Sequence, residues 1–102
     1  MTWEFSIHPG VWQDADDAID YYALVDPSLT RGFIDELEAA FSFVKLYPQA
    51  GRILVSRYRR IALRRFPYLV CYEITDEAVR VLALIHNRRG PQWVHMHLAN
   101  RV

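Results

Sequence analysis

The hydrophobic period of the chain changes once, at the turn Tyr47-Pro48-Gln49-Ala50-Gly51, and that change restricts the fold more than any other feature. Before the turn, Val11, Ala15, Ala18, Ile19 and Tyr22 recur at intervals of three and four, the stripe of an amphipathic helix over Val11–Leu24. Asp14, Asp16, Asp17 and Asp20 lie mostly in its first turns, where the helix dipole favours negative charge. Asp26-Pro27 restarts the chain, with Asp26 as the cap and Pro27 at the first helical position. Leu29, Phe33, Leu37, Ala40, Phe41 and Val44 then draw a second stripe that ends near Pro48. Ahead of both helices, Trp3–His8 alternates as a short strand and is ended by Pro9-Gly10.

After the turn the period is two. Ile53-Leu54-Val55 opens an extended stretch that runs on into Tyr58–Phe66, and Pro67, which has no amide to donate, interrupts it. Tyr68–Thr75 and Ala78–His86 are β-rich runs joined by Asp76-Glu77, the length of a tight hairpin. The predicted order is therefore β-α-α-β-β-β. It gives an α+β fold with a helical hairpin on one face of a small, mainly antiparallel sheet, the other face being partly open. Strict alternation in the last strand puts Val79, Val81, Ala83 and Ile85 on one face and Arg80, Leu82, Leu84 and His86 on the other. Which of these the helices cover is left open. Residues 94–102 form a polar-aromatic tail with no assigned order.

The 102 residues make a single domain, and a hydrophobic fraction of 52% excludes a disordered chain. One cysteine, Cys71, excludes an internal disulfide and a cysteine-based zinc cluster, and its place in a strand reads as a small buried hydrophobe. No apolar run approaches the ~18 residues of a membrane span. The start MTWEFSIHPG lacks the pattern of a secretion signal, so a cytoplasmic protein with no membrane partner is expected. The formal net charge of zero conceals a segregation. Residues 1–51 hold nine acids and two cations, net −7, whereas residues 52–102 hold ten arginines and three acids, net +7. Arginine outnumbers lysine 11 to 1, which suits planar contacts with phosphates or carboxylates. Such asymmetry fits either a polyanionic partner or an acidic helical half paired with its own basic sheet.

The element order, the Tyr47-Pro48 and Gly51 turn, Arg64-Arg65-Phe66-Pro67-Tyr68, and the run from Val81 through His86-Asn87-Arg88-Arg89-Gly90-Pro91-Gln92-Trp93 together resemble the RelE/ParE toxins of type II toxin–antitoxin systems. The resemblance covers roughly residues 3–93, and the signatures R-x-F-P-Y and H-x-R-R-x-P-x-x-W are similar to the ParE-like branch. It implies a small bacterial toxin held inactive by a cognate antitoxin. Members either poison DNA gyrase, as ParE proteins do, or cleave mRNA on the ribosome, as RelE proteins do. A degenerate member that keeps only antitoxin binding is a third reading.

In-line cleavage of RNA needs a base, an acid and cations on the phosphate. Here His86 is the one acid/base candidate at a strand end, with Arg64 and Arg65 to hold a phosphate if the chain is a nuclease. Tyr68, Tyr72 and Glu73 read as ordinary strand residues. That thin set favours the gyrase reading, in which Arg60, Arg64, Arg88, Arg89 and Trp93 are the candidate target contacts. Each has a plainer alternative. His86 can hydrogen-bond the turn that follows it, Arg88 and Arg89 can be solvated, and Trp93, which Pro91 turns back toward the body, can anchor the tail in the core. Arg59-Arg60 and Arg64-Arg65, read as strand pairs, each place one guanidinium on each face. His95 and His97 lack a third ligand at useful spacing, so no metal is expected, and nothing points to a cofactor.

Overall fold

A computed structural model describes residues 3–102. The chain runs through strand β1 (Glu4–Ile7), helices α1 (Gly10–Val25) and α2 (Leu29–Leu46), a single 3₁₀ turn (Pro48–Ala50), strands β2 (Arg52–Val55), β3 (Tyr58–Ala62), β4 (Tyr68–Thr75) and β5 (Ala78–His86), and helix α3 (Pro91–Ala99). The five strands form one sheet in the order β1-β5-β4-β3-β2, with β1 parallel to β5 and every other pair antiparallel. Both helical stripes are buried as predicted: Val11, Ala15, Ala18 and Tyr22 of α1, and Phe33, Leu37, Ala40 and Val44 of α2, pack on one face of the sheet. Helix α2 starts later than the Asp26-Pro27 restart, because the Asp26 carboxylate closes a turn by accepting the amide and hydroxyl of Ser28.

The second half departs from the predicted layout in three ways. The stretch from Ile53 to Phe66 is two strands, turned at Ser56-Arg57 with Ser56 in the left-handed region (φ 53°). Next, β3 stops at Ala62, so Arg64 and Arg65 are not a strand pair with one side chain on each face. Both lie in a bend whose amides donate to one oxygen of Glu36, at 2.7 and 3.0 Å, which draws the chain toward α2 and out of the sheet. Finally, the tail is ordered. Residues 91–99 are helical, and Val94 and Leu98 seal Tyr58, Cys71, Leu82, Ala83 and Ile85 on the face that was expected to be partly open. The Cys71 thiol is buried there, which pushes its pKa up to about 12.

Both faces of β5 can be apolar because its alternation is broken. Cys71 pairs with Ala83 and Tyr72 with Val81, which leaves Leu82 as an extra residue, a β-bulge. Val79, Val81 and Leu84 therefore face the helical hairpin, while Leu82, Ala83 and Ile85 face α3. This corrects the strict alternation: Ala83 and Ile85 change sides, and so do Leu84 and His86. The hairpin between β4 and β5 turns on Asp76 and Glu77, both at positive φ (45° and 66°), the conformation that two-residue hairpin loops prefer.

Two polar knots hold the layers. Behind α2, the Tyr72 hydroxyl donates to the Pro48 carbonyl at 2.6 Å and accepts the Gly51 amide at 3.1 Å, and Arg59 donates to the Gly51 carbonyl at 2.8 Å. Arg59 thus meets turn carbonyls on the helical side rather than a helical acid. A side chain at position 51 would collide with the Tyr72 oxygen, which explains the glycine. At the opposite side of the sheet, β1 pairs with β5 only as far as Val81. Beyond it, Asp14 accepts the Leu84 amide at 3.0 Å and Arg101 donates to the Leu82 carbonyl at 2.9 Å. The two side chains are joined by bidentate hydrogen bonds of 2.6 and 3.0 Å.

Tyr72→Phe leaves a buried amide and a buried carbonyl without a partner, and a loss of about 1–3 kcal/mol is expected in urea unfolding. Arg101→Met strands the Asp14 carboxylate and is expected to cost roughly 3 kcal/mol, with part of that loss recovered in the Asp14→Asn/Arg101→Met double variant.

Candidate functional site

The two sequence signatures meet in space. Tyr68, the last residue of R-x-F-P-Y, is in register with His86, the first of H-x-R-R-x-P-x-x-W. The Asn87 amide donates to the Pro67 carbonyl at 2.9 Å. Phe66 is buried among Tyr22, Phe33 and Tyr68, with edge-on ring contacts at 4.9 Å to Tyr22 and 5.2 Å to Phe33, geometry that aromatic pairs prefer. The aromatic floor is therefore built from α1, α2 and β4, and it carries the end of β5.

His86 lies on that floor, its ring edge-on to Tyr68 at 5.2 Å. Its Nδ1 accepts the Arg88 amide at 3.1 Å, and its carbonyl accepts the Arg89 amide at 3.1 Å. The imidazole thus shapes the turn that carries both arginines. An accepting Nδ1 leaves the proton of the neutral ring on Nε2. Arg88 and Arg89 are exposed. The Arg89 guanidinium lies over the Trp93 ring at 4.3 Å, and His97 stacks on the same indole at 4.6 Å with planes 11° apart. Trp93 is 40% exposed, so Val94 and Leu98 anchor α3 in the core and Trp93 does not. Burial against Trp93 lowers the pKa of His97, and the nearby Arg101 charge lowers it further.

Two hollows open on either side of His86 and Tyr68. One, of about 530 Å³, is lined by Tyr21, Tyr22, Pro67 and Arg88 as well as these two. The other, of about 250 Å³, is lined by Asp14, Asp17, Arg89, Trp93 and His97 besides the shared residues. Burial raises the pKa of Tyr22 and of Tyr68, and the neighbouring phenols add to this, so both stay protonated.

The other predicted residues lie elsewhere. Arg64 and Arg65 line a separate hollow with Glu36, and the Arg65 Nε donates to Glu36 at 2.6 Å. Arg60 sits in β3 opposite Cys71, on the sheet face that carries α3. His86 thus groups with Arg88, Arg89 and Trp93, while Arg60, Arg64 and Arg65 do not share its hollows. His95 lies beside Tyr58 (6.2 Å) whereas His97 stacks on Trp93, so the two are directed apart on α3. Four residues were not singled out from sequence as part of the site: Tyr21, Asp17 and the pair Asp14 and Arg101 that seats α3. The buried stripe position Tyr22 gave a signal, but only as core.

With this geometry in hand, the relationships of the chain are clear. Residues 5–91 match the family described as ParE toxin of type II toxin-antitoxin system, parDE. The chain is 34% identical over 102 residues to Toxin ParE2 of Mycobacterium tuberculosis, covering 99% of this chain and 97% of that protein, in the strains CDC 1551 and H37Rv alike. Its fold is similar to a solved structure titled Chromosomal ParDE TA system from P. aeruginosa, with a TM-score of 0.73, 16% identity, and coverage of 83% of this chain and 96% of that one. The chain belongs to the ParE toxin family of type II toxin–antitoxin systems. The family match ends where α3 begins, so Trp93 and Arg101 lie beyond it.

Burial works against ionisation of Glu36, but the amides of Arg65 and Arg64 and the Arg65 side chain overcome it and hold the carboxyl below its ordinary value of 4.5. A depressed carboxylate adds stability above its unfolded-state pKa and loses it as pH falls through the folded-state value. Glu36→Gln is therefore expected to cost about 1.5–3 kcal/mol near pH 7. Urea melts repeated at falling pH should show the two proteins converging as the pH drops below 4.5 and through the depressed folded-state value.

Proposed function

We propose that this ParE-family toxin acts on DNA gyrase through the surface formed by Arg88, Arg89 and Trp93, and that a cognate antitoxin neutralises it. One observation carries the reading: Arg64 and Arg65, the arginines that a nuclease would use to hold the phosphate, lie in a different hollow from His86, and Arg65 is tied to Glu36 there. Between the turn after β5 and helix α3 lies a guanidinium–indole–imidazole stack, a hot-spot composition suited to binding a partner. Ordering that surface through His86 and Asp14–Arg101 fits a site that must hold its shape before it meets a target.

An antitoxin segment would find a different face. Ala39, Ala40 and Phe43 of α2 and residues 61–64 line a groove of about 230 Å³, and β2 pairs with β3 only as far as Arg60. Ile61 and Ala62 thus offer unpaired strand edge beside apolar side chains, a setting for strand addition. Among the described residues no helix is long and apolar enough to cross a membrane. The proposed place of action is the cytoplasm.

Purified toxin is expected to inhibit supercoiling by gyrase and to leave mRNA uncut in a translating extract. The opposite pattern would replace gyrase with the ribosome. Arg88→Ala and Arg89→Ala are each expected to lower toxicity on induction by roughly tenfold, a loss of one or two partner contacts. Antitoxin affinity should change less than threefold, and a parallel loss of both would mark a folding defect and count against the assignment.

A further inference from the structure

The target surface described above is a cleft with two chambers. The hollows of about 530 and 250 Å³ share one wall, the side chains of Tyr68 and His86. Each chamber has its own guanidinium and its own aromatic support: Arg88 with Tyr21 and Tyr68 in the larger, and in the smaller Arg89, whose plane is backed by Trp93. This repeat of cation and ring about a central imidazole matches the repeat of a nucleic-acid strand, which alternates planar bases with phosphates. We propose that the cleft seats two successive unpaired nucleotides, one base in each chamber, with the phosphate between them at His86.

The chemistry of each wall fits that occupant. Aromatic and guanidinium planes stack bases of any identity, and arginines neutralise the flanking phosphates. His86 meets the strand with Nε2–H as donor, because its Nδ1 already accepts the Arg88 amide. Two carboxylates line the smaller chamber and oppose a phosphate there. Asp14 is neutralised by Arg101, whereas Asp17 accepts from Gln13 at 2.8 Å and is exposed. Asp17 therefore directs the phosphate toward His86 and can accept the amino group of a base. Bases within a duplex cannot reach these rings without leaving their stack, so the site selects unpaired strand. This inference rests on reading Arg88, Arg89 and Trp93 as the target surface. It adds that part of the target is the nucleic acid itself, as would be met where gyrase holds DNA open.

The test is fluorescence anisotropy of a labelled ten-nucleotide DNA strand titrated with the purified toxin, beside its duplex and a ribonucleotide strand of the same sequence. Single-stranded DNA should bind at least tenfold more tightly than duplex. Trp93→Ala should weaken binding roughly tenfold and Trp93→Phe much less, because the ring at position 93 backs the Arg89 plane on which the base stacks. Arg88→Ala should lower the slope of log affinity against log salt by about 0.7, one phosphate contact. Arg52→Ala, an exposed arginine on β2 far along the sheet, should change affinity less than twofold and excludes diffuse charge attraction. No binding to the single strand, equal binding to duplex, or equal losses in Arg52→Ala and Arg88→Ala would overturn the proposal. Tighter binding of the ribonucleotide strand would uphold the cleft but assign its source to RNA. Strand binding without any effect on supercoiling would leave the cleft standing and remove gyrase as the target.

Discussion

The pairing of Asp14 with Arg101 is the contact on which the arrangement of the rest depends. β5 has nine residues and its neighbour β1 only four, so the last part of β5 would present open backbone beside α1. Asp14 and Arg101 occupy that edge as a strand would, one accepting an amide and the other donating to a carbonyl. Because the pair is carried by α1 and by the chain two residues past α3, a single ion pair joins both layers to the open edge of β5. A bidentate guanidinium–carboxylate pair suits this task, since it fixes direction as well as distance.

The Leu82 bulge decides what each layer meets. With an uninterrupted pleat, His86 would project toward α3 and away from Tyr68 and Tyr22. The extra residue turns the last four residues of β5 over, which gives α3 an apolar surface and delivers His86 to the aromatic floor. The signatures by which the family is recognised then prove to be largely mutual supports. Phe66 packs the floor, Pro67 holds Asn87, and Tyr68 carries His86, while the arginines of both signatures and part of Trp93 are exposed.

The helical hairpin, β4 and β5 could be read directly, because stripes such as Phe33-Leu37-Ala40-Val44 and the Asp76-Glu77 link express their own periods. The bulge could not, since Leu82, Ala83 and Leu84 are all apolar and no hydropathy pattern says which is the extra one. The fate of Arg64 and Arg65 was hidden for another reason: Glu36, which takes their amides, lies twenty-eight residues earlier. Helix α3 has only Val94 and Leu98 buried, too few for a legible stripe, and its register depends on Arg101 finding Asp14. Segregated charge fitted an outside polyanion or an internal pairing equally well. It did not reveal that two pairs, Asp14–Arg101 and Glu36–Arg65, stitch the acidic half to the basic one.

Closure of the sheet on both sides also makes Cys71 a natural gauge of the fold. It is the one thiol of the chain, and it sits between β3 and β5 beneath α3 with no exposed surface. A thiol held protonated and out of contact with solvent does not react. Every encounter with an alkylating reagent must then wait for α3 to lift or for the whole domain to open. The rate of its modification therefore times whichever of these openings comes first, without any label having to be built in.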